Sequence, residues 1–147
     1  MSSLDPRRLV LRNDVAELQR LAGWIEGFAQ YSISSDVSFA VQLCLEEAVA
    51  NIIMYGAARD ERLEIAVELE LERNGATLVA RVEDNGRQFD PTRAPPPVVA
   101  TSLEKAKVGD LGIHLMRSFA SGMDYERREG RNRLTLRFVE STSPAPE

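Results

Sequence analysis

Between residues 37 and 71 the spacing of apolar residues switches from a helical repeat to strict alternation. Val37, Ala40, Val41, Cys44, Leu45, Ala48, Val49, Ile52 and Ile53 recur at helical spacing and lay a wide apolar stripe along one side of a helix. Leu63, Ile65, Val67, Leu69 and Leu71 then alternate with Arg62, Glu64, Glu68, Glu70 and Glu72. That is a strand with one face buried and the other in water. A one-sided strand next to a one-sided helix predicts layers, helix against sheet.

The flanking segments fit the same scheme. Residues 8–12 (RLVLR) predict a first strand. Asn13 or Asp14 caps a helix whose apolar face is Val15, Leu18, Leu21, Ala22, Ile25, Phe28 and Ala29. Ser34–Asp36 caps the second helix, and Gly56 is its stop. Asn74-Gly75 signals a hairpin into a strand with Leu78, Ala80 and Val82 on one face. Residues 86–110 hold four prolines and little periodicity, the pattern of a lid or binding loop. A helix over 111–120 and a closing hairpin, 123–128 and 133–139 with its turn at Glu129-Gly130, complete the order. The expected fold is a two-layer α/β sandwich: a mixed, mostly antiparallel sheet with helices on one face. One domain is expected over 1–140, with a frayed tail at 141–147.

Composition narrows the chemistry. The chain has 147 residues, 44% apolar, and a net charge of −5. That charge argues against a nucleic-acid surface, which would need a clustered basic face. Cys44 is its only cysteine, which excludes an intrachain disulfide or a cysteine-based zinc cluster. No signal-peptide core is evident, and no segment reads as the ~20 apolar residues of a membrane span. A cytoplasmic protein is the expectation.

Three constellations carry chemistry. Glu47 and Asn51 lie four apart on the second helix, so they share a side. A carboxylate takes a proton, and a carboxamide oxygen ligates a hard cation. The bland reading is two solvated positions beside the stripe. Asp84-Asn-Gly86, followed by Phe89-Asp-Pro91, leaves the end of a strand. An ionised Asp accepts hydrogen bonds only, so it would take the exocyclic amine of adenine and select it over guanine. Gly86 lets the backbone approach a flat ring. The bland reading is a surface turn. Gly109-Asp-Leu111-Gly112-Ile113 opens a helix after the long loop, where amide groups could point at phosphate oxygens. Its bland reading is a flexible helix start.

In this order the three resemble the boxes of the GHKL ATPases, the Bergerat ATP-binding fold. Leu45–Gly56, Phe89–Pro91, Gly109–Leu115, Met123–Arg127 and Gly130–Leu136 look like the anti-sigma factor serine kinases (RsbW-like). The resemblance covers roughly residues 8–139. It implies ATP and Mg2+ as cofactors and transfer of the γ-phosphoryl group to a serine of an anti-anti-sigma (STAS-type) partner. A sigma factor is the implied client and a homodimer a family expectation; neither nucleic acid nor membrane is an implied partner. Carried over, Glu47 is the base, Asn51 the Mg2+ ligand and Asp84 the adenine reader with Gly86 beside it. Phe89 belongs to the same cofactor site, and Gly109, Leu111, Gly112 and Ile113 offer backbone to phosphates.

Two positions depart from the family. A strand residue near the C-terminus, usually threonine, contacts the adenine side. Thr135 is the tempting match, but strand parity puts Asn132 on the side of Leu134, Leu136 and Phe138, so Asn132 is preferred. Asp110 stands where glycine is usual, and a carboxylate near a triphosphate is repelled by roughly 1 kcal/mol or more. Lys105 and Lys107 could offset it. Asp110 keeps a second reading open: a catalytically weak or inactive binding module that regulates by sequestration. His114, the only histidine, is not expected to be a phosphoacceptor, and a detached histidine-kinase catalytic domain is disfavoured by the Phe89-Asp-Pro91 motif and the C-terminal block.

Overall fold

The computed structural model describes residues 7–55, 63–72, 77–93 and 110–139. Within them the chain runs β1 (Arg7–Arg12), α1 (Glu17–Ser32), α2 (Ser35–Tyr55), β2 (Glu64–Leu71), β3 (Thr77–Asp84), a 3-10 turn (Pro91–Arg93), α3 (Asp110–Phe119), β4 (Gly122–Arg128) and β5 (Arg131–Val139). The five strands form one sheet in the order β1-β2-β3-β5-β4, and all four pairings are antiparallel. The helices pack on one face, giving the expected two-layer α/β sandwich.

Local signals set the helix ends. The Asp14 carboxylate accepts from the Ala16 amide at 2.9 Å, so the cap sits where the sequence put it. Val15, expected on the apolar face, falls in this cap turn and is exposed. Ser34 Oγ accepts from the Val37 amide at 3.2 Å and caps α2. Gly56, the Asn74-Gly75 turn and the 141–147 tail lie outside the described residues.

The core is the α2 stripe against the inward faces of the strands. Val41, Cys44, Leu45 and Val49 are fully buried on α2. They face a layer that includes Leu11, Ile65, Val67, Ala80 and Leu136, while α1 adds Leu21, Ile25 and Phe28. Ala66 and Val79 are also buried, although they belong to the outer sheet face. Around them charged side chains pair across strands, Arg8 with Glu68 and Arg81 with Glu70, and small residues sink beneath those long stems.

One expectation needs correction. Ser35–Met54 of α2 is long and apolar enough, with a mean hydropathy of 1.5, to pass for a membrane span by length and composition. In the fold its apolar side is covered by α1, α3 and the sheet.

The closing hairpin turns at Glu129 and Gly130, both left-handed with φ of 52° and 76°. Two residues in that conformation make the type I′ turn whose twist matches the strands. The turn pins Arg128 opposite Arg131, and hence Arg127 opposite Asn132. Glutamate is strained there, whereas asparagine tolerates the conformation. Glu129→Asn is therefore expected to stabilise the fold by about 0.5–1 kcal/mol, read as a higher urea midpoint with an unchanged slope. An unchanged or lower midpoint would show that the turn carries no strain.

Candidate functional site

Asp84 ends β3 on the core-facing side and is 3% exposed. Its cross-strand partner is Asn132 of β5, also buried. The Asn132 Nδ2 donates to Asp84 Oδ1 at 3.0 Å, and the Gly86 amide donates to the same oxygen at 2.8 Å. Thr135 lies on the opposite side of β5. Burial pushes the Asp84 carboxyl above its ordinary range; the Asn132 and Gly86 hydrogen bonds and the nearby Arg127 oppose that rise, and Glu83 adds to it.

Beyond Asp84 the chain is pinned at almost every residue. Asn85 accepts from the Glu64 amide at 2.8 Å. Arg127 of β4 donates to the Gly86 carbonyl at 2.8 Å. Asn132 donates to the Arg87 carbonyl and accepts from the Phe89 amide. Asp90 accepts from the Thr92 amide at 2.9 Å and so caps the 3-10 turn. Arg117 of α3 donates to the carbonyls of Pro91 and Thr92. The Phe89-Asp-Pro91 motif is thus held between α3 and the end of the sheet.

These elements line an open pocket. Ala48, Ile52, Val82, Met116 and Leu134 form apolar walls, and Asn51, Asp84, Arg87, Tyr125 and Asn132 supply the polar groups. An apolar slot with one buried carboxylate suits a flat heteroaromatic ring carrying an amine. Phe89, 45% exposed, lines the same pocket.

Asn51 of α2 is 8% exposed, and among the described residues its Nδ2 has no hydrogen-bond partner. A buried carboxamide left unpaired inside a pocket is a group held for a ligand. One helical turn before it, Glu47 lies against Gly112 of α3. A Cβ added at Gly112 would stand 2.3 Å from Glu47 Oε2, so glycine at this position makes room for the carboxylate. Cys44, three residues before Glu47, is fully buried, and burial and the Glu47 charge push its thiol up to about 12.

Of the residues singled out from the sequence, Asn51, Asp84, Phe89 and Asn132 share the pocket, Gly86 bonds to Asp84, and Glu47 meets Gly112. Ile113 is buried in the core, and His114 is exposed. Gly109, Lys105, Lys107 and the side chains of Asp110 and Leu111 lie outside the described residues. Sequence reasoning missed Tyr125, Arg127, Arg117 and Met116. The first two were within reach: the two-residue turn at 129–130 sets them near Asn132 by register.

A buried carboxylate with a raised pKa has a definite stability signature. Its ionised form is disfavoured in the folded state, so the penalty is present above the folded pKa and disappears as pH falls through it. Asp84→Asn keeps an acceptor for both donors and removes the charge. It is expected to raise the melting temperature of the ligand-free protein at neutral pH, with a gain that shrinks on acidification. Calorimetry at several pH values checks this, and a gain independent of pH would contradict it.

Residues 11–138 match the family described as the histidine kinase-like ATPase domain. The chain is 35% identical over 125 residues to the serine/threonine-protein kinase BtrW of Bordetella bronchiseptica, covering 84% of each protein. Among solved structures it resembles the histidine kinase domain of the Erythrobacter litoralis EL346 blue-light activated histidine kinase, with a TM-score of 0.55 at 12% identity, over 94% of this chain and 69% of that one. A longer structure of the same kinase gives 0.56 at 13% identity, over 87% of this chain and 42% of that one. At such identity these structures speak for the fold alone, and the family match over residues 11–138, with the 35% identity across most of the chain, establishes that this chain belongs to the histidine kinase-like ATPase domain family.

Proposed function

We propose that the chain is an ATP-dependent protein-serine kinase that phosphorylates an anti-anti-sigma (STAS-type) partner, and whose hold on a sigma factor is released by the unphosphorylated partner. The observation that carries the kinase reading is the Glu47 carboxylate seated against Gly112, one turn from the unpaired Asn51. A nucleotide-binding module without chemistry has no need of a carboxylate fixed beside the phosphate box. The similarity to a serine/threonine-protein kinase over most of the chain supports the same reading.

The division of labour follows from the side chains. Adenine occupies the apolar slot, and Asp84 accepts from its exocyclic amine. The phosphates extend toward Asn51 and the start of α3. No group of three or more His, Cys, Asp or Glu residues that could hold a metal exists among the described residues. That fits Mg2+, which takes few protein ligands and completes its shell with phosphates and water. Asn51 Oδ1 would hold it, and the ion would neutralise charge on the phosphates. Glu47 takes the proton of the partner's serine hydroxyl. The serine oxygen bonds to the γ-phosphorus as the bond to the β-phosphate oxygen breaks, and ADP leaves with that electron pair.

The alternative, a binding module that acts by sequestration, draws on Asp110, an acidic residue where the family has glycine. Incubation with Mg-ATP and a STAS-type partner separates the two. Wild type is expected to place phosphate on a serine of the partner, and Glu47→Ala to lower the rate by about 10²- to 10⁴-fold while still binding ATP. ATP binding without any transfer by wild type would establish the module instead.

Gly112 supplies a second check. Gly112→Ala must displace the Glu47 carboxylate. It is expected to lower kcat by about tenfold or more with little change in ATP affinity. An equal loss in both would show that the glycine serves the phosphates rather than the base.

A further inference from the structure

Asn132 lines the pocket, yet its side chain has nothing left to offer a ligand. A carboxamide has two acceptor positions on oxygen and two N–H donors. Here Oδ1 accepts from the Phe89 amide at 3.3 Å and from the Tyr125 hydroxyl at 2.5 Å. Nδ2 donates to Asp84 Oδ1 at 3.0 Å and to the Arg87 carbonyl at 2.7 Å. All four positions are filled by protein. The orientation of the amide is also fixed by chemistry: the Phe89 N–H can only donate, and the Arg87 carbonyl can only accept. The NH2 group must therefore face Asp84.

The consequence appears on the carboxylate. Both bonds to Asp84, from Gly86 and from Asn132, fall on Oδ1. Among the described residues Oδ2 has no hydrogen bond. We propose that Asn132 is a positioning residue that sets the choice of adenine over guanine through Asp84 without touching the nucleotide: it keeps Oδ1 occupied, so that Oδ2 alone is available to the base as an acceptor. This rests on the ATP-binding reading of the pocket, and it replaces direct contact between Asn132 and the nucleotide.

The physical reasoning is one of matching donors and acceptors. Adenine presents an amine where guanine presents a carbonyl oxygen. Against an ionised acceptor the amine gains a bond, and the carbonyl meets a second lone pair. Without the Asn132 donor, a carboxylate in an apolar slot loses one of the bonds that hold it in place and favour its ionised form. A carboxyl that then takes up a proton presents an O–H donor to guanine. Arg127 opposes protonation from β4 and Glu83 favours it from β3, so Asn132 is one of several groups that decide the balance.

The test compares two substitutions of equal shape. Asn132→Thr keeps a hydroxyl that can donate toward Asp84, and Asn132→Val does not. Both suit a strand. Dissociation constants for Mg-ATP and Mg-GTP are measured by calorimetry for wild type, both variants, Asp84→Asn, and each variant combined with Asp84→Asn. The threonine variant is expected to keep the wild-type preference for ATP within about threefold. The valine variant is expected to lose about tenfold or more of it, as for one hydrogen bond to a charged group. Combined with Asp84→Asn, threonine and valine should differ much less than they do beside the carboxylate, because the donor then meets a neutral acceptor with no charge to stabilise. Equal preferences for the two single variants would falsify the proposal. So would a difference of undiminished size in the Asp84→Asn background, since Asn132 would then act on the base directly. Should the valine variant not fold by circular dichroism, Asn132→Ser against Asn132→Ala repeats the comparison. An Asp84→Asn protein that still prefers ATP as strongly as wild type would instead remove the adenine reading of the pocket, a failure visible before any Asn132 variant is compared.

Discussion

A carboxylate buried at the end of β3 is the constraint around which this site is arranged. Left alone in an apolar slot, Asp84 would be costly, because burial disfavours its ionised form. The structure answers with bonds drawn from separate parts of the chain. Gly86 comes from the following turn, Asn132 from the neighbouring strand, and Arg127 stands one strand further on. Those bonds in turn fix the backbone from Gly86 to Phe89, so the wall of the pocket exists because the carboxylate needed support.

The same dependence explains which features could be read from the sequence. Period and punctuation govern the layers, and they were legible: the α2 stripe, the alternation of β2 and the caps at Asp14 and Ser34 all follow from local chemistry. Parity on β5 was enough to place Asn132 inward and Thr135 outward. What parity could not give was the state of the Asn132 side chain. That it is saturated depends on Tyr125, Phe89 and Arg87, which come together only when β4, β5 and the loop close on one another. Arg117 escaped for a similar reason. An arginine late in a helix reads as a solvated or dipole-paired charge, and only the tertiary fold brings carbonyls of residues 91 and 92 to it. Burial of Ala66 and Val79 on the charged sheet face was also invisible, since it comes from the stems of neighbouring side chains and not from pattern.

α3 links the two halves of the site. Its first turns carry Gly112 against Glu47, its middle presents Met116 to the pocket, and its last turn holds the Pro91–Arg93 segment through Arg117. A shift of this helix relative to α2 therefore changes the space at Glu47 and the wall at the base pocket together.

The two ends of the site are built on opposite principles, and this follows from what each must do. At the base end nearly every polar group is already satisfied: Asn132 has four partners and Gly86 two. A fixed acceptor needs no rearrangement when a base arrives, so selectivity is set by fit and not by reorganisation. At the phosphate end the reverse holds. Asn51 keeps an unpaired Nδ2 in a buried position, and Glu47 has its space cleared by a missing side chain. A donor kept unpaired lowers the stability of the ligand-free protein, and in the proposed reading Asn51 Nδ2 is the group that phosphate oxygens would engage while Glu47 serves the serine proton. In the reading proposed above, rigidity at the end that takes the base and unused bonding capacity at the end that takes the phosphates is the arrangement expected of a site that holds one nucleotide still while its far end reacts.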